Sequence, residues 1–296
     1  MIYSFIYMIN MKKQPFKIKK SKITSWDEIF ENPRPITVKT FVTGEVKIPK
    51  IGTINPDHPK AGLIEDKLLE IPVLAHWIHH EKLGDYLIDT GLDNSYQNHP
   101  HGNMNGVLAK LFIKAKIEVD EYYQAENQNI GHHVKENKIK LKGVFFTHLH
   151  SDHIAGTREL PKNIHYMIGK GEKYHEYWPF FYSDHLKGVE ILHEIDFKNG
   201  NDMPFLGKCV DIFGDGSLWA LSTPGHSKGH MSFLINSEKS PILIAGDVCF
   251  IKSNFEKGIG PSSYTEDIKV NQQSLDKIIE FKKRYPQVKV LCGHDM

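Results

Sequence analysis

The chain has 296 residues, 40% of them hydrophobic and 25% charged, with Lys+Arg 37 against Asp+Glu 36 and a formal net charge of +1. Those fractions exclude disordered, collagen-like and coiled-coil chains, and the charge balance leaves no global excess to draw the chain to nucleic acid or anionic lipid. Three cysteines (Cys209, Cys249, Cys292) with no C-x-x-C suggest neither a disulfide framework nor a thiolate zinc site, whereas 18 histidines suffice for a metal site if several are well placed.

Residues 1–9 are apolar but too short to cross a bilayer. They lack the preceding positive charge and following small-residue cleavage site of a secretory signal, which places the protein in the cytoplasm. Met11-Lys12-Lys13 reads as a second start, and Lys17, Lys19, Lys20 and Lys22 suit a solvated tail. Residues 1–35 are therefore expected to be a flexible N-terminal extension and 36–296 a single α/β domain. Strand-like runs rich in β-branched and aromatic residues follow at Ile36–Val42, Ile71–Ile78, Tyr86–Ile88, Gly143–Thr147, Ile164–Ile168, Leu218–Ser222, Met231–Ile235, Pro241–Ala245 and Val288–Leu291. The clearest helix is Ile268–Tyr285, with Leu275, Ile278, Ile279 and Phe281 grouped on one side and Pro286 as its stop. Two polar-aromatic stretches, about 92–140 and 170–215, suit insertions or lids near a site.

The chemistry begins where the fourth of these strands ends, in Thr147-His148-Leu149-His150-Ser151-Asp152-His153. A strand end running into a loop keeps a period near two, so His148, His150 and Asp152 face one side together. His153 stands where a helix would begin and turns toward the same space from another direction. Three imidazoles and one carboxylate at this spacing are donors suited to zinc, iron or manganese. Further candidates follow glycines at strand ends: His226 in Thr223-Pro224-Gly225-His226, Asp247 in Ala245-Gly246-Asp247, and His294 in Cys292-Gly293-His294. Asp89, in Leu87-Ile88-Asp89-Thr90-Gly91, ends another strand. Chemistry carried on loops at strand ends is the usual plan of open α/β scaffolds.

Taken in order, Asp89, the His148-x-His150-x-Asp152-His153 motif, His226, Asp247 and His294 resemble the metallo-β-lactamase superfamily over roughly residues 36–296. The resemblance implies an αββα sandwich, two mixed sheets flanked by helices, with a dinuclear metal site at one edge. It implies that one metal takes His148, His150 and His226, that the other takes Asp152, His153 and His294, and that Asp247 bridges them. Asp89 would orient ligands without binding metal, and Asp152 or Asp247 would shuttle the proton. The cofactors implied are two divalent ions, zinc first, with iron or manganese also compatible. Two such ions set against Asp152, Asp247 and a bridging hydroxide leave a net positive charge, which lowers the pKa of bound water and stabilises an oxyanion.

Asp247 separates the chain from the zinc β-lactamases, which lack that bridging carboxylate, and His150 stands where flavodiiron proteins carry a glutamate. The stretch Gly246–Glu256, with Gly293-His294-Asp295, is similar to the N-acyl-homoserine-lactone lactonases. Those enzymes carry an aromatic hydroxyl three residues after the bridging aspartate, where this chain has Phe250; Tyr264 or a loop histidine is the substitute donor. The implied activity is quorum-quenching hydrolysis of an ester or lactone in a small molecule, by attack of a metal-bridging hydroxide on the carbonyl. No nucleic acid and no stable membrane anchor is expected, and the chain is read as a monomer or homodimer. A thioester hydrolase resembling glyoxalase II, or a phosphodiesterase, is the alternative; a single-iron sulfur dioxygenase and a degenerate binding protein stand further off. Trp178-Pro179-Phe180-Phe181-Tyr182 reads as core or as the wall of an acyl pocket. His230 reads as core, and Cys249 and Cys292 as buried packing residues.

Overall fold

The computed structural model describes residues 11–65, 67–115, 121–174, 176 and 179–296. In chain order the elements are β1 (Lys12–Pro15), α1 (Trp26–Glu31), β2 (Ile36–Pro49), β3 (Leu68–His80), β4 (Gly84–Ile88), α2 (Val107–Ala115), β5 (Glu121–Tyr123), α3 (Ile130–Glu136), β6 (Leu141–Phe145) and α4 (Ser151–Ile154). The second half holds β7 (His165–Gly169), β8 (Ile191–Ile195), β9 (Asn201–Met203), β10 (Gly207–Asp211), β11 (Leu218–Ser222), β12 (Met231–Asn236), β13 (Pro241–Gly246), α5 (Lys252–Lys257), α6 (Ile268–Arg284) and β14 (Lys289–Cys292). Two mixed sheets result, one of eight strands in the order β1-β8-β7-β6-β4-β3-β2-β5 and one of six in the order β14-β13-β12-β11-β10-β9.

Period-two alternation explains why the sheets stack. Leu218 and Ala220 of β11 point to one face and meet Ile78, Ile88 and Phe145 of the other sheet in a central core. Trp219 and Leu221, on the opposite face, pack with Leu275, Ile278 and Phe281 of α6. The outer face of the eight-stranded sheet is covered in the same way: Val144, Tyr166 and Ile168 pack with Ile130 and Ile154. Helix, sheet, sheet, helix is the expected layering.

Strand direction gathers the chemistry. β4, β6 and β7 are parallel, so the residues that follow β4 and β6, Asp89 and His148, emerge at one edge. β13 and β14 are also parallel, and β11 is antiparallel to β12, which is antiparallel to β13. The C-terminal ends of β11, β13 and β14 therefore share an edge, where His226, Asp247 and His294 follow.

Two expectations are corrected. The segment before residue 36 is not a free extension from residue 11 onward. β1 adds a parallel strand beside β8, and Trp26, fully buried, meets Trp219 and Phe281 edge-on at 5.4 Å each. The indole N–H donates to Pro204 O at 2.9 Å, and the Asn236 side-chain amide donates to Ile29 O at 2.7 Å and to Asn32 O at 3.0 Å. These contacts close one side of the apolar cluster beneath α6; the first ten residues lie outside the described residues. The stretch 170–215, expected to suit an insertion or lid, instead supplies β8, β9 and β10 as ladder strands. The helix expected at 268–285 is present as Ile268–Arg284. Among the described residues no helix is long and apolar enough to cross a membrane.

Candidate metal centre

Asp89, His148, His150, Asp152, His153, His226, Asp247 and His294 converge at the shared edge. Three groups have ligand atoms within 4.8 Å of one another: His148, His150 and His226; His148, His153 and Asp247; and Asp152, His153 and His294. Asp247 lies between the clusters. Its Oδ2 is 3.4 Å from His226 Nε2, 3.8 Å from His148 Nε2 and 3.5 Å from His294 Nε2, and its Oδ1 is 3.4 Å from His153 Nε2. Asp152 Oδ2 is 3.6 Å from His294 Nε2 and 3.8 Å from His153 Nε2.

Those separations suit a shared ion better than direct hydrogen bonds. Tetrahedral ligands bonded at about 2.0–2.1 Å stand about 3.4 Å apart. His148 Nε2, His153 Nε2 and Asp247 Oδ1 are buried without a hydrogen-bond partner, a costly state that a cation would relieve.

The outer ring nitrogens are fixed by partners that set the tautomers. Asp89 accepts from Thr147 N at 2.7 Å and Thr147 Oγ1 at 2.8 Å, and holds His153 Nδ1 at 2.8 Å. Because the Thr147 hydroxyl donates to Asp89, it accepts from His148 Nδ1 at 3.0 Å, which leaves His148 Nε2 a bare lone pair. His294 Nδ1 donates to Pro72 O at 2.9 Å, and His226 Nδ1 lies 3.3 Å from Thr265 Oγ1. Carbonyl or carboxylate support of this kind presents the inward nitrogen to a metal. His150 faces inward through Nδ1, 2.9 Å from His226 Nε2.

Electrostatics point the same way. Burial holds His148 and His226 well below the usual imidazole range, and His150 below it, so all three are uncharged donors. Burial opposes charge on His153 and His294 as well, but Asp247 and Asp152 outweigh it and raise both. A field that retains protons on those two rings is one that favours a cation among them.

Sequence reasoning missed the supporting groups. His230, read as core, is buried, and its Nε2 accepts from Asp247 N at 3.1 Å while its Nδ1 donates to Thr223 O at 3.0 Å. Its position four residues after His226 was the one available signal. Thr147, Thr265 and the Pro72 carbonyl gave none. The glycines before the ligands have steric reasons: Gly246 has φ +59, and a Cβ on Gly293 would stand 2.1 Å from Asp247 Oδ1.

A cavity of about 140 Å³ opens onto the cluster. His150, Ser151, Asp152, Asp247 and His294 form its polar floor, and Val46, Ile48, Ile71, Tyr122 and Phe250 form an apolar wall. Tyr264 lines it too, its ring 6.4 Å from that of His150. Phe250 meets His226 and His294 edge-on at 5.7 and 5.3 Å. Of the expected aromatic wall, Phe180, Phe181 and Tyr182 do not line this cavity, and Trp178 lies outside the described residues.

The family model of the metallo-beta-lactamase superfamily matches residues 70–294. An N-acyl homoserine lactonase of Bacillus sp is 26% identical over 235 residues, which cover 79% of this chain and 85% of that protein. A solved N-acyl homoserine lactone hydrolase, with the product N-hexanoyl-L-homoserine bound at its catalytic metal centre, has a TM-score of 0.65 at 22% identity, covering 88% of this chain and 93% of that one. AidC, a dizinc quorum-quenching lactonase, matches with a TM-score of 0.56 at 14% identity over 89% of each chain. With the matched model spanning most of the chain and its motif residues gathered at one sheet edge, the chain belongs to the metallo-beta-lactamase superfamily, as a metal-dependent hydrolase.

Proposed function

We propose that the protein opens the ring of an N-acyl-homoserine-lactone-like substrate with two divalent metal ions, zinc foremost. The observation that carries this is the junction of two surfaces in one cavity, a floor of metal-ligand chemistry and a wall of Val46, Ile48, Ile71, Tyr122 and Phe250. An ester-type carbonyl meets the floor while an acyl chain lies on the wall. The lactonase activity of the Bacillus relative supports the same substrate class.

His148, His150 and His226 would hold one ion, Asp152, His153 and His294 the other, and Asp247 would serve both. When bound, such ions lower the pKa of a water to near neutrality and polarise the carbonyl. Asp152, which lines the cavity with its side chain 14% exposed, would take and return the proton. Asp247, deeper and held through its N–H by His230, keeps the clusters in register. Phe250 offers no donor, so the hydroxyls on the cavity lining, Tyr264 foremost, are the candidates for the carbonyl or the leaving oxygen. The free, buried Cys209, Cys249 and Cys292 accord with a reducing compartment such as the cytoplasm.

The test is elemental analysis of protein purified without added metal, with lactone hydrolysis assayed on the same sample. Two zinc ions per chain with ring opening are expected. Two ions with thioester or phosphodiester cleavage in place of ring opening would move the substrate to those classes, and a single iron would overturn the dinuclear reading. Asp247→Ala is expected to abolish turnover and lose at least one ion; full turnover with both ions would contradict its role.

A further inference from the structure

Glu172, on the turn after β7, is 2% exposed, and among the described residues no lysine or arginine pairs with its carboxylate. An unpaired carboxylate in that setting is costly unless its oxygens are fully used. Ser227 Oγ donates to Oε1 and the Gly229 N–H donates to the same oxygen at 3.1 Å, and the Leu149 N–H faces the carboxylate closely enough to favour its charged form. Burial nevertheless pushes the carboxyl up to about 7, against the pull of those three neighbours.

These neighbours come from two segments of special importance. Ser227 follows His226 directly, and Leu149 sits between His148 and His150. One carboxylate thus ties the backbone carrying His148 and His150, at the end of β6, to the backbone carrying His226, at the end of β11 in the other sheet. The fit is steric as well as polar. A Cβ on Gly169 would come within 1.8 Å of Gly229 O, and one on Gly229 within 2.6 Å of Glu172 N. The turn 169–172 is therefore seated backbone against backbone on the loop that carries His226.

The Asp152, His153 and His294 cluster hangs from other anchors: His153 from Asp89, and His294 from the Pro72 carbonyl. We infer that Glu172 is a positioning residue for one metal site alone, holding His148, His150 and His226 in register across the two sheets while the Asp152, His153 and His294 site stands without it. This rests on the reading of the two clusters as metal sites.

The experiment measures zinc affinity of the full-length, metal-stripped protein by competition with a chromophoric chelator. Two backgrounds isolate the sites: His294→Ala leaves the His148, His150 and His226 site, and His226→Ala leaves the Asp152, His153 and His294 site. Glu172→Ala is expected to weaken zinc binding about 10- to 100-fold in the first background and less than about 2-fold in the second. Glu172→Gln, which keeps an oxygen for Ser227 and Gly229, should recover most of that loss. Ser227→Ala removes one donor only and should cause a smaller loss at the same site, a readout that stands even if Glu172→Ala does not fold. Equal losses in both backgrounds, or none in either, would overturn the inference while leaving the metal reading intact. Failure of the unsubstituted protein to bind zinc would overturn both.

Discussion

On the proposed reading, Asp89 would position the centre without touching a metal. It has φ +56, a left-handed conformation that costs a non-glycine residue about 1–2 kcal/mol, and it is buried. Three hydrogen bonds, from Thr147 N, Thr147 Oγ1 and His153 Nδ1, hold it there, and through Thr147 it reaches His148 as well. Asp89→Ala is therefore expected to lower metal affinity at both sites by roughly 10- to 100-fold, as read by chelator competition; unchanged affinity would show that Thr147 alone sets the two rings. On the cavity wall, Tyr264→Phe tests the hydroxyl that Phe250 cannot supply. Loss of one oxyanion donor is worth roughly 100-fold or more in kcat, so a fall in kcat at steady KM is the expected result. All eight candidate site residues were legible in the sequence because ligand chemistry is written in side-chain type and in the spacing 148, 150, 152, 153. Their supports were not: Thr147 is ordinary in a strand, and Pro72 contributes a backbone oxygen that every residue has.

At the scale of elements, the site is a set of strand ends, and glycine decides whether those ends can close on one another. The β13 ladder breaks register between Ile244 and Gly246, and Gly293 after β14 passes against the Asp247 carboxylate. Gly293→Ala should displace Asp247 and lose metal while the remainder of the sheet stays folded, seen as a fall in zinc content without a matching fall in Tm for the metal-stripped protein. A parallel fall in both would place the residue in the packing rather than the centre. The strands that sequence reasoning found are those buried on both faces or cleanly alternating, such as β11 and β12. Those it missed have neither signature. β1 is Lys12-Lys13-Gln14-Pro15, exposed throughout and recognisable only by its ladder with β8, and β9 has three residues. Their pairing is set by partners distant in sequence, which periodicity within a window does not register.

Across the whole molecule, stability has a built-in acid dependence. Burial pulls His76 and His230 to about 4 and His185 to about 3, from an ordinary value of 6.5. The unfolded chain takes up protons at these positions near pH 6.5 while the folded chain does not. Their contribution is therefore fully present above pH 6.5 and is lost as pH falls toward 4, with a slope of up to about 1.4 kcal/mol per pH unit for each group. In the presence of chelator, so that metal release does not contribute, Tm should drop steadily from pH 7 to pH 4.5; a flat profile would contradict the uncharged burial of these rings. Trp26→Ala should cost about 3–5 kcal/mol, since the indole fills the space between Trp219 and Phe281. A denaturant midpoint unchanged by the substitution would return the segment to the status of a tail.

The placement of that segment also bears on how the chain reaches its native state. Trp26 Nε1 meets its acceptor 178 residues further along, and Asp27 Oδ2 meets Tyr285 Oη across a separation of 258. The segment thus has its partners in strands and a helix far along the chain, from β8 to α6, so its contacts are complete only once α6 has been made. Closing contacts of such long range late is entropically slow. The N-terminal strap is accordingly a finishing clasp, and its docking is where a slow refolding phase belongs.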